Sequence, residues 1–246
     1  MRYQYTSPGF RKGFSRPTFT IPSGVKLLVI INIVVFVLTA LSGQRSILFS
    51  SFGLVPSHVW SNFKVWQLVT YLFVHGGFLH IFFNMFVLWM FGKDLEMQWG
   101  KNEFLLFYFT CGIGAGLMTV LFSVNSIVPI VGASGAIYGL LVAYGFTYPN
   151  RMVYLYGLFP LKVKYMVLGL GVIAFFASLS ANQSNVSHIT HLSGMIIGVL
   201  YIYFIFNWKN IKMEYYRLRL KNLKQKTSAQ NDEEVWMKKK VDEILD

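Results

Sequence analysis

The chain has 246 residues, of which 54% are hydrophobic and 17% aromatic but only 13% charged. Soluble domains of this size carry about a quarter charged residues, so the composition excludes a disordered chain and argues against a soluble globular enzyme. The basic residues behind the net charge of +12 crowd the two ends, a placement that points to membrane topology rather than to nucleic acid.

Met1 to Gly24 is polar, aromatic and basic. It does not read as a cleavable signal, because too long a lead precedes the first apolar run. Six runs then approach the roughly 17–25 residues that a spanning helix needs. They are Val25–Ser42, Gly77–Leu95, Phe104–Val124, Ser134–Tyr148, Val163–Ala181 and His188–Phe206. No Asp, Glu, Lys or Arg occurs from Phe104 to Asn150, nor from Tyr165 to Trp208. The expected fold is therefore all-α: a polytopic membrane bundle of six transmembrane helices. Residues 1–24 form an N-terminal segment, 25–207 the membrane domain and 208–246 a basic tail.

All Lys and Arg residues except Arg45 and Lys64 lie before the first span or at its start, in the second and fourth loops, or in the tail. The positive-inside rule then places both termini in the cytoplasm. The first loop, about Gly43 to Gly76, mixes aromatics with a few polar residues and should lie in the membrane interface. The fourth run is short, about 22 Å of helix against a hydrocarbon core of about 30 Å. It ends at Pro149-Asn150-Arg151, so its N-terminus should fall inside the membrane, with Ser134 at the floor of a water-accessible cavity. Irregular backbone at that depth survives only where protein covers it or water reaches it.

Ionisable residues within spans are functional candidates. His75 and His80 start the second run, with Asn84 one turn on, and His188 and His191 open the sixth. Each histidine alone also fits an interfacial ring with no chemical role. Their shared depth with Ser134 favours a site. His58, in the first loop, keeps the interfacial reading. Gly132-Ala133-Ser134-Gly135 is a short pattern and not the hydrolase nucleophile elbow, which needs Gly where Ala136 stands. Gly135 with Gly139, and Gly194 with Gly198, form small faces suited to close helix packing. If those faces meet, His191 is carried against Ser134. Cys111 is alone and reads as a small packing residue. No His-Glu-x-x-His or Cys-x-x-Cys pattern suggests a metal.

Taken together these motifs resemble the rhomboid intramembrane serine proteases, over about Val25 to Phe206. Gly132-Ala133-Ser134-Gly135 matches the family's nucleophile motif, and His191, Gly194 and Gly198 match its sixth-helix pattern. His80 and Asn84 match its second-helix pattern, Tyr138 its tyrosine one turn after the nucleophile, and Glu96 its acidic residue at the end of the second helix. One departure is Trp66-Gln67, where the first loop of the family often carries Trp-Arg.

The resemblance implies Ser134 as nucleophile and His191 as base, with His80 and Asn84 stabilising the oxyanion and Tyr138 orienting His191. It implies no cofactor and no metal. Its substrates would be single-span membrane proteins in the lipid bilayer, cut near the outer face, with no nucleic acid involved. The chain would be an integral protein of a bacterial plasma membrane. Two other readings stand beside this one: a catalytically inactive relative that binds membrane clients, and a small transporter or channel. The first would typically have lost Ser134 or His191, and the second would more often show repeats or charged pairs within spans.

Overall fold

The computed structural model describes residues 21–155, 159–179, 187–205 and 236–240. In chain order the elements are α1 (Ser23–Leu41), α2 (Arg45–Phe52), α3 (Pro56–Ser61), α4 (Gln67–Thr70), α5 (Phe78–Trp99), α6 (Lys101–Phe122), α7 (Ser134–Thr147), β1 (Met152–Leu155), β2 (Phe159–Lys162) and α8 (Val163–Ser178). A further apolar helix, α9, spans Ser187–Ile205. This is a rhomboid-like polytopic helical bundle. Among the described residues four helices are long and apolar enough to cross a membrane, namely α1, α5, α6 and α9.

The expected runs correspond to α1 and α5 to α9 with ends shifted by a few residues. The fourth run is short as expected, and the fifth is short as well: α8 has 16 residues. Ala181, where the fifth run was expected to end, lies outside the described residues. Lipid-facing apolar side chains explain the many exposed ones, among them Leu38 on α1 and Phe82 on α5.

The core forms where α7 is enclosed. Of its 14 residues, nine are buried, including Leu140, Leu141 and Tyr144. α5, α6 and α8 all pack on it. Such a helix needs no amphipathic face, and the uniformly apolar stretch from Ala136 to Ala143 supplies none.

α5 and α6 are joined through Gly100 alone, at φ 86° and ψ 160°, a conformation essentially restricted to glycine. Near that end Glu96, itself buried, accepts hydrogen bonds from the backbone N–H groups of Gly24 and Val25, both at 2.7 Å. These are N–H groups that the first turn of α1 leaves without a helical acceptor. The carboxylate thus ties α1 to α5.

The first loop is not a plain connection. It folds into α2, α3 and α4, held by the buried amide of Gln67. That side chain donates to the carbonyls of Ser50 at 2.9 Å and Ser51 at 3.3 Å, and accepts from the N–H of Val55 at 3.0 Å. The departure from Trp-Arg therefore keeps loop packing intact, through a neutral amide. Leu54 also exchanges backbone hydrogen bonds with Ile130, at 2.8 Å each, fastening the first loop to the third.

The fourth loop carries a two-stranded antiparallel hairpin pairing Met152 with Lys162 and Leu155 with Phe159. At its root Arg151 bonds Asp94 at 2.6 Å, and Tyr144 donates to the same carboxylate oxygen at 2.9 Å. This network joins the ends of α5 and α7 farthest from Ser134.

Candidate active site

Three helices begin at the same end of the bundle and bring their first turns together. Ser134 is the first residue of α7, His80 lies in the first turn of α5, and His191 follows one turn after the start of α9. Ser134, His191, His80, Asn84 and Tyr138 all line one cavity of about 440 Å³. Its walls are completed by apolar side chains such as Phe83 and Leu141, with Leu170 supplied by α8.

The central contact is a hydrogen bond of 2.7 Å between His191 Nε2 and Ser134 Oγ. Tyr138 stacks on the His191 ring, with centroids 4.4 Å apart and planes 5° from parallel. Its position four residues after Ser134 puts both side chains on one face of α7. His188 sits edge-on to His191 at 6.1 Å.

Backbone contact between α7 and α9 sets this geometry. A Cβ on Gly194 would overlap the carbonyl oxygen of Gly135, and one on Gly198 would lie 3.0 Å from the α-carbon of Gly139. The two small faces therefore meet, which the sequence had left open, and no side chain separates the helices. Cys111, fully buried on α6, fills the space beside Gly139.

The other wall is built around Gly132, which has φ 115°. A Cβ there would come within 2.7 Å of His80 Nε2 and 3.8 Å of Asn84 Nδ2. Only glycine lets these groups approach the backbone two residues before Ser134. The N–H of Gly76 donates to His80 Nδ1 at 3.3 Å. An accepting Nδ1 leaves the ring proton on Nε2, the nitrogen that faces Gly132. Asn84 Nδ2 donates to the His80 carbonyl at 2.8 Å, and its second hydrogen is free of that bond. His75, buried and edge-on to His80 at 5.2 Å, backs this wall and does not line the cavity.

The N-terminus of α7 lacks a side-chain cap. Its first helical bond runs from the N–H of Ile137 to the carbonyl of Ala133, so the N–H groups of Ser134, Gly135 and Ala136 lie outside the ladder. Such a terminus favours negative charge.

Two supports were not legible as site residues. The carbonyl of Tyr71 accepts from the N–H of Gly132 at 2.9 Å, and its hydroxyl donates to the carbonyl of Gly112 at 2.6 Å. Thr119 on α6 bonds Thr190 at 2.9 Å, next to His191. Neither belongs to a short motif; each is found only by the tertiary contact. His58 lies on α3, outside the cavity lining. Among the described residues no three His, Cys, Asp or Glu side chains are gathered to hold a metal.

The family model for the Rhomboid domain matches residues 62–208. The chain is 30% identical over 186 residues to rhomboid protease GluP of Bacillus subtilis, covering 74% of this chain and 34% of that protein. It is 32% identical over 142 residues to the putative rhomboid protease YdcA of the same organism, covering 57% of this chain and 67% of that one. Rhomboid protease GlpG of Yersinia pestis is 25% identical over 174 residues, covering 70% of this chain and 59% of GlpG. The chain thus spans about a third of GluP and under two thirds of GlpG. The domain match extends over more than half of the chain and takes in every residue that lines the cavity, and the chain belongs to the rhomboid family.

Proposed function

We propose that this protein is an intramembrane serine endopeptidase that cleaves single-span membrane proteins near the outer face with a Ser134–His191 dyad. The observation that carries the reading is the 2.7 Å bond between His191 Nε2 and Ser134 Oγ inside an apolar helical bundle. The names of the relatives support the same reaction class.

In this mechanism His191 takes the Ser134 proton as Oγ attacks the scissile carbonyl, then delivers it to the leaving amine. Water attacks the acyl-enzyme with His191 again as base, and Ser134 is released. The oxyanion is met by the N–H of Ser134, by His80 Nε2 and by Asn84 Nδ2, aided by the end of α7. Tyr138 holds the imidazole plane, a role that an aspartate fills in triads. No cofactor takes part. The substrate helix must unwind to expose its carbonyl, so Gly or Pro near the cleavage point should favour turnover.

The distribution of basic residues supports an orientation with both termini in the cytoplasm and Ser134 towards the outer side, in a bacterial plasma membrane. Residues 25–207 are the catalytic domain, between the segments 1–24 and 208–246. A C-terminal tag removed by protease added outside intact spheroplasts would overturn this orientation.

Covalent labelling of membranes with a fluorophosphonate probe tests the dyad. Wild-type protein should be labelled, and Ser134→Ala and His191→Ala should not. Equal labelling of wild type and Ser134→Ala, or none of either, would instead favour an inactive client-binding protein.

A further inference from the structure

On the side of α9 away from α6, the bundle is incompletely filled. A groove of about 520 Å³ runs between α7, α8 and α9, separate from the cavity that holds Ser134. Gly145 on α7 and Gly171 on α8 both line it. A Cβ placed on Gly171 would find its nearest neighbour in the Met195 methyl group, at 3.2 Å. Phe175 and Phe176 line one end, and at the other stands Lys164, among the described residues the one charged side chain in the lining.

We propose that this groove binds one anionic phospholipid, with an acyl chain along α8 and the headgroup phosphate on Lys164. Three observations select this occupant. From Lys164 to Phe176 is about 18 Å along the helix, close to one leaflet of a core about 30 Å thick and far short of a spanning helix. The lining apart from Lys164 is apolar or glycine, so nothing in it requires a polar ligand. The charge at its mouth is not neutralised: Arg151 is paired with Asp94, whereas Lys164 has no ion pair among the described residues and rests over the Tyr165 ring at 5.0 Å. Lys162 ends the adjacent strand, so a second cation stands beside the mouth. Basic pockets between transmembrane helices are suited to anionic headgroups, and a concave apolar wall offers a chain more dispersion contact than a flat one.

The test uses the full chain in nanodiscs of equal palmitoyl-oleoyl phosphatidylglycerol and phosphatidylcholine. On release into native mass spectrometry, wild type should retain one phosphatidylglycerol in preference to phosphatidylcholine. Lys164→Gln should abolish the preference, and Gly171→Leu should lower retention of both lipids. Equal retention of the two lipids by wild type, or an unchanged preference in Lys164→Gln, would overturn the proposal. A second measurement leaves the groove open and decides the matter if Gly171→Leu does not fold. With Phe146→Trp, the added fluorescence should be quenched more by dibrominated phosphatidylglycerol than by dibrominated phosphatidylcholine. The excess should vanish when Lys164→Gln is added. Equal quenching by both lipids would refute the site.

Discussion

Gly194 on α9 lies so close to Gly135 on α7 that any Cβ at 194 would overlap the Gly135 carbonyl oxygen. The contact is one residue from Ser134 and one turn from His191, so it sets their separation directly. Gly194→Ala must push the helices apart. A displacement near 1 Å at such a site costs about 100-fold in rate, and we expect at least that loss in kcat/KM. Gly169→Ala is the control: nothing lies within 4 Å of its added methyl. It should keep full activity and gain about 0.5–1 kcal/mol from helix propensity. Equal activity of the two variants would show that the glycine contact does not position the dyad.

The apolar runs made the spanning helices legible, and the spacing of small residues at 135, 139, 194 and 198 marked two faces suited to close packing without saying that they meet. Local patterns of this kind survive because the bilayer and the backbone impose them. The first loop was not legible beyond its interfacial character. Its three short helices depend on Gln67 reaching Ser50, Ser51 and Val55, contacts that no local periodicity announces. The hairpin at 152–162 was missed for a related reason: four-residue strands are too short to show alternation, and Pro160 argues against a strand. Among the residues around the cavity, the motif side chains that line it were singled out in the sequence and their supports were not. Tyr71 acts through its carbonyl as well as its hydroxyl, and a carbonyl carries no sequence signal.

The ring face of Tyr138 stacks on His191, the residue proposed as the base. Tyr138→Phe keeps that face and should retain near-wild-type kcat. Tyr138→Ala removes it. Aromatic stacking is worth about 0.5–1.5 kcal/mol, or roughly 2- to 12-fold in rate, and kcat should fall by that much with KM little changed. A comparable loss in Tyr138→Phe would assign the effect to the hydroxyl instead.

His80 and Asn84 present N–H groups beside Gly132 and are assigned to the oxyanion. An oxyanion donor is worth about 3–4 kcal/mol, roughly 100- to 1000-fold in kcat. Asn84→Ala should fall in that range while the fluorophosphonate still labels Ser134, though more slowly. An unchanged kcat in both Asn84→Ala and His80→Ala would remove these side chains from the mechanism.

Glu96 acts far from the chemistry. Its carboxylate satisfies two N–H groups at the start of α1, and charge-assisted hydrogen bonds of this kind contribute about 1.5–3 kcal/mol each. Glu96→Gln keeps the shape but loses the charge and one acceptor oxygen. It should lower unfolding stability in bicelles by about 1.5–3 kcal/mol, with the specific activity of the folded fraction unchanged. A loss of activity without loss of stability would connect α1 to the site in some other way.

The last expectation concerns entry to the cavity. Phe175 and Phe176 are bulky residues in the second half of the fifth run. In the fold both line the groove between α7, α8 and α9, and the α8 residue at the Ser134 cavity is Leu170. If α8 controls entry, Leu170 is the side chain to trim. Leu170→Ala widens the cavity towards α5 and should raise kcat/KM for a transmembrane substrate several-fold. Phe175→Ala and Phe176→Ala, which are 48% and 65% exposed, should leave it within a factor of about two, because exposed positions contribute little packing. Leu170 is only half-buried, so its loss should cost less than the roughly 2–5 kcal/mol of a full core truncation. Unfolding and cleavage must therefore be measured on the same preparations. Cleavage that falls in step with stability in Leu170→Ala would mean that α8 is a fixed wall and that substrates enter elsewhere.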